Sequence, residues 1–143
     1  MSKSQVETTK PVIRKTRKRK PNFVITVKTQ AVENESDLTN NVFAFTYSIT
    51  IENRSTSTAR LINRHWKVYS AEVQIADVKG EGVVGQQPVL KPNDSFEYSS
   101  WTVIKDPIGT MKGEFTFLSS KGDFFDIAVP EFNLTFKDRL TVH

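Results

Sequence analysis

Hydrophobic and polar residues alternate with a period of two along most of the chain from Phe23 onward. The clearest run places Phe43, Phe45, Tyr47, Ile49 and Ile51 between Ala44, Thr46, Ser48, Thr50 and Glu52. Successive side chains of a strand point to opposite faces, so this pattern predicts a strand with one buried face. Phe23, Ile25 and Val27 predict another. Ile62, Trp66 and Val68 share one parity, opposite Leu61, Asn63, His65 and Lys67. Val73 and Ile75 mark a shorter piece, and Phe96, Tyr98 and Ile104 a further strand. Met111, Phe115 and Phe117 precede the turn signal Ser120-Lys121-Gly122-Asp123, and Phe125, Ile127 and Val129 follow it. Pro130 interrupts the ladder before Phe132, Leu134 and Phe136. Turn residues punctuate the chain at Asn53-Arg54-Ser55, Pro92-Asn93-Asp94 and Asp106-Pro107-Ile108-Gly109. No period of 3.6 appears. About seven or eight short strands with turns between them predict an all-β fold, an antiparallel two-sheet sandwich, with a closed barrel as the alternative. Its expected core is Phe45, Tyr47, Ile49, Trp66, Phe115, Phe117, Ile127 and Leu134.

Composition narrows the chemistry. At 143 residues the chain suits one domain with a core of its own. It has no cysteine, which removes disulfides, thiolate metal sites and a cysteine nucleophile, and suits a reducing compartment. No apolar run approaches the ~18–20 residues of a membrane span, and no secretory pattern opens the sequence. The expected location is the cytoplasm.

The net charge of +4 is unevenly distributed. Residues 1–20 carry eight basic side chains against Glu7 alone, whereas the remainder is mildly acidic. Residues 1–21 are therefore expected to form a disordered basic arm, and 22–143 the sandwich domain. Within the arm, Arg14, Lys15, Arg17, Lys18, Arg19 and Lys20 are the candidate polyanion-binding residues. Three readings are open for them: a solvated tail, a contact for nucleic acid or anionic membrane, or a localisation signal.

The segment Lys79-Gly80-Glu81-Gly82-Val83-Val84-Gly85 spells G-x-G-x-x-G. In a dinucleotide-binding βαβ unit that spacing leads into a helix whose N-terminus holds the phosphate. Here Pro88 and Pro92 follow and no helical pattern does, so a Rossmann fingerprint is excluded. Two readings remain: a nest of backbone N–H groups holding an anion at Gly80, Gly82 and Gly85 with Lys79 and Arg64 beside it, or a bulge or hairpin that needs glycine for its own geometry. Glu81 would oppose an anion.

His65 is the only histidine ahead of the terminal His143, so the usual zinc ligand sets cannot be assembled, and no partnered nucleophile is evident. The acidic run Glu33-Asn34-Glu35-Ser36-Asp37 lacks the glycine and terminal glutamate of a calcium loop. No metal, cofactor or catalytic set is expected, and the chain reads as a non-enzymatic binding module.

Several segments, in order and spacing, resemble the ApaG family. They are Arg64-His65-Trp66, the run from Val78 to Pro88, Phe96-Glu97-Tyr98-Ser99-Ser100, Gly109-Thr110-Met111-Lys112-Gly113 and Val129-Pro130-Glu131-Phe132-Asn133-Leu134. The resemblance spans about residues 24–136 and leaves the basic arm outside. Trp101 departs from it where a small residue is expected, and Tyr69-Ser70-Ala71-Glu72 lacks an Asn-Gly turn. The resemblance implies a fibronectin type III-like, immunoglobulin-like sandwich. It also implies an association by name with cobalt and magnesium efflux, a glycine loop discussed as a pyrophosphate site, and relatives fused to protein-interaction modules. The expected partner is accordingly a protein; the alternatives are a nucleotide, pyrophosphate or dinucleoside polyphosphate at the loop, and nucleic acid at the arm.

Overall fold

A computed structural model describes residues 21–137. Eight strands follow one another: β1 (Phe23–Ala31), β2 (Phe43–Asn53), β3 (Ala59–Ser70), β4 (Val73–Glu81), β5 (Val89–Leu90), β6 (Ser95–Ile104), β7 (Ile108–Ser119) and β8 (Phe124–Thr135). Two single turns of 3₁₀ helix, Glu33–Glu35 and Leu38–Asn40, lie between β1 and β2. One sheet has the order β1-β2-β6; the other runs β4-β3-β7-β8, with β5 pairing β3. Every named pairing is antiparallel. This is the fibronectin type III-like sandwich, and the barrel alternative is set aside because the two sheets stay separate.

The alternation seen in the sequence becomes the interior. Phe45, Ile49, Ile51, Leu61, Phe115, Phe117 and Leu134 are fully enclosed. Trp66 sits at the centre of an aromatic cluster, with Tyr47, Phe115 and Phe132 rings 5.7, 5.9 and 6.0 Å away in edge contacts. All eight expected core residues are buried.

The parity assigned to the start of β3 is corrected. Leu61 is a core residue and Ile62 only half-buried. The register against β7 shifts between Leu61 and Asn63. One extra residue in a strand reverses which side chains face inward, and a strict period-two reading carried through the bulge misplaces both.

Two buried polar side chains fasten the corners. Asn53 donates through Nδ2 to Ser57 O and Leu90 O, both at 2.9 Å, and accepts at Oδ1 from Ser55 N and Ser55 Oγ. Ser70 Oγ donates to Asp106 Oδ2 (2.6 Å) and accepts from Lys105 N (2.9 Å), which anchors the end of β6 against β3.

Candidate functional site

The glycine segment does not form a free loop. Gly80 lies within β4, paired with Arg64. Beyond it, Val83 N donates to Gln86 O (2.8 Å) and Gln86 N to Val83 O (2.9 Å), so that Val84 and Gly85 form a two-residue turn. Both have positive φ, 43° and 78°, the handedness that matches the twist of a tight hairpin. Gly82 also has positive φ (62°), its N–H donates to Ile62 O (2.7 Å), and an added Cβ would run into Gln86 O. A side chain there is excluded by both conformation and space. Val84 is a β-branched residue held in the left-handed region, which stores strain at an exposed tip.

Arg64 explains Gly80. Its Nη1 donates to Glu81 O and Gly82 O, each at 3.0 Å. A Cβ on Gly80 would stand 2.8 Å from the guanidinium atoms. The missing side chain at position 80 is thus the space through which Arg64 reaches and pins the hairpin carbonyls. No carboxylate pairs with Arg64 among the described residues.

Arg64, Lys79 and Gly80 are brought together around a depression of about 470 Å³ that His65, Glu81 and Glu114 also line. Gly82 and Gly85 belong to the adjoining turn. Of the turn's N–H groups, those of Gly82, Val83 and Gln86 are taken by backbone carbonyls; those of Val84 and Gly85 have no hydrogen-bond partner among the described residues. His65 Nε2 lies 2.6 Å from Asp77 Oδ1 across β3 and β4. Among the described residues no three acidic or histidine side chains converge as a metal site would require.

Behind the hairpin, Tyr47 and Tyr98 project into the interior with Arg64 nearby. Burial raises both phenols above their ordinary value of 10.0; a hydrogen bond with Ser100 offsets this in part at Tyr47, and the Arg64 charge offsets it at both. Tyr98 is raised further by Tyr47 beside it. A weak hydrogen bond with Trp66 offsets part of this, although the buried Oη meets no partner of good geometry among the described residues.

The sheet edges differ in kind. β4 carries Asp77, Lys79 and Glu81 and is bulged between Val68 and Tyr69 of its partner strand. β8 contains Pro130 and follows a register shift between Met111 and Gly113. β1 runs beside β8 of the facing sheet, where Thr29 Oγ1 reaches Asn133 O at 3.5 Å. β6 has none of these devices. It pairs with β2 through ten consecutive residues without a shift, and its far side has no strand partner among the described residues. Glu97 is its only charge, while Trp101 is 61% and Val103 42% exposed. Charges, prolines and bulges normally keep strand edges from pairing; β6 is left open. In the sequence, Trp101 stands out only as a departure from the resemblance. Its position on an edge strand depends on which strands pair, and that is not written in the alternation.

The arm residues Arg14, Lys15, Arg17, Lys18, Arg19 and Lys20 lie outside the described residues. No helix among those described is long and apolar enough to cross a membrane.

The strand order and the glycine hairpin pinned by Arg64 define a fibronectin type III-like β-sandwich closed at one edge and open at another. Proteins of similar sequence are known, and solved structures among them share the sandwich fold. The chain is 42% identical over 112 residues to Protein ApaG of Ralstonia nicotianae, covering 78% of this chain and 90% of that protein. It is 43% identical over 110 residues to Protein ApaG of Thiobacillus denitrificans, covering 77% and 87%. The crystal structure of the putative ApaA protein from Bordetella pertussis superposes with a TM-score of 0.78 at 34% identity, over 81% of this chain and 94% of that one. The ApaG domain profile matches residues 33–119. The chain belongs to the ApaG domain family.

Proposed function

We propose that the protein is a non-enzymatic interaction module that receives an extended segment of a partner protein along β6. The observation that carries this reading is the unblocked edge: ten regular pairs to β2, a single charge, and two exposed apolar side chains. An unpaired strand edge presents N–H and C=O groups at the spacing of another strand. A polypeptide added there gains main-chain hydrogen bonds, while side-chain contacts give specificity. Trp101 and Val103 supply such contacts on one face of the strand.

The test uses peptides selected on the full-length protein from a random twelve-residue display library. The reading expects binders whose affinity is lost in Val103→Lys, which places a charge on the edge as natural sheets do. A library that yields no binder, or binders indifferent to Val103→Lys, contradicts it.

A second reading places an anion at the glycine hairpin. It is favoured by the free N–H groups of Val84 and Gly85 and by Arg64 and Lys79 at the adjoining depression. The nearby carboxylates of Glu81 and Glu114 weigh against it. Titration with pyrophosphate or a dinucleoside polyphosphate decides: Lys79→Ala should weaken binding and Glu81→Gln strengthen it, and indifference to both charge changes removes the reading.

A further inference from the structure

The edge of β6 has a pattern that reads the same from both directions. We propose that a second copy of this chain docks on it, β6 against β6 and antiparallel, with the two-fold axis at Trp101. This rests on the reading of β6 as the docking edge and names an occupant for it. In a symmetric antiparallel pair, residues opposite one another have numbers summing to a constant. Centring on Trp101 sets Trp101 against its own copy, Ser99 against Val103, and Glu97 against Lys105.

Glu97 and Lys105 are both exposed, and neither has an ion-pair partner among the described residues; Lys105 is the first residue past the end of β6, its N–H held by Ser70 Oγ, so its long side chain must reach back to the strand edge. The axis uses each twice, giving two opposite-charge pairs that flank an aromatic pair, both favourable across strands. On the inner side, Ser100 meets Thr102 and Tyr98 meets Ile104, again alike in polarity. The neighbouring registers fail this match. Centring on Ser100 sets Glu97 against Val103, and centring on Thr102 sets Glu97 against Pro107. Odd sums would oppose inner-face with outer-face side chains and break the sheet plane.

The result joins two β1-β2-β6 sheets into one continuous sheet. A contact of one strand and one tryptophan per copy lies at the small end of specific interfaces, so the dimer should dissociate at a concentration of ~10 µM.

Sedimentation velocity of the full-length protein, from low micromolar to several hundred micromolar, tests the proposal. The wild type should show a reversible monomer–dimer equilibrium, weakened at least roughly tenfold by Trp101→Ser. Glu97→Lys and Lys105→Glu should each weaken it, because each puts like charges opposite one another. The double variant, with both reversals, should recover to near the wild-type constant. Unchanged melting temperatures exclude unfolding as the cause. A wild type monomeric throughout overturns the proposal, and so do a dimer indifferent to these variants or a double reversal that fails to restore association. If the protein is monomeric but selected peptides still bind in a Val103-dependent way, only the second-copy assignment falls. If neither associates, the docking reading falls with it.

Discussion

β4 and β6 are both edge strands, and the chain treats them oppositely. β4 runs into a hairpin locked by Arg64, carries three charged side chains, and pairs through a bulged register. β6 is regular, almost uncharged, and bears an exposed tryptophan. The first edge is finished; the second is left able to accept another strand. The contrast moves attention from the glycine hairpin, the obvious ligand-type motif in the sequence, to a strand whose residues share in the family resemblance but spell no binding motif.

Breaking the finished edge should give the largest effects. Gly82→Ala must take positive φ and displace Gln86, and is expected to lose about 2–4 kcal/mol in a denaturant titration. Gly80→Ala should lose far less, because the obstructing atoms are the flexible end of Arg64. Equal losses would mean that the two glycines serve one purpose, contrary to the geometry. Arg64→Ala removes the clamp on Glu81 O and Gly82 O and should cost about 1–2 kcal/mol. Amide exchange should then accelerate in the hairpin and stay unchanged in β6.

The interior behind the two edges adds a pH dependence. Tyr47 and Tyr98 have folded values raised by burial above the ordinary 10.0. Above pH 10 the unfolded chain releases phenolic protons that the folded protein retains. Their contribution to stability is therefore complete below about pH 10 and declines as pH rises beyond it. Tyr98→Phe should flatten that decline. Denaturant titrations from pH 8 to about 11.5 check both expectations. The smallest effect on stability belongs to the open edge: Val103→Lys should stay within about 0.5 kcal/mol of the wild type, since its side chain reaches water.

The sandwich was legible because the alternation is local: Phe43 through Ile51 announces a half-buried strand without any knowledge of its neighbours. Leu61 and Ile62 were misplaced because a bulge is a property of a pair of strands, invisible in one of them. The glycine spacing was legible, but the purpose of Gly80 depended on Arg64 lying across from it in the next strand. The Ala71-Glu72 bend, which lacks the usual Asn-Gly, is made with Ala71 itself at positive φ (52°). Least visible was the open edge, since the freedom of β6 follows from which strands do not pair with it.

Site-resolved amide exchange of the full-length protein, with and without a library-selected peptide at saturation, tests that edge most directly. Every second amide of β6 points away from β2, where a single copy offers it no strand partner among the described residues. The account predicts that these amides slow by at least roughly tenfold with peptide bound, while those of β4 and the glycine hairpin keep their rates. Protection appearing on β4 or the hairpin, with β6 unchanged, would contradict it.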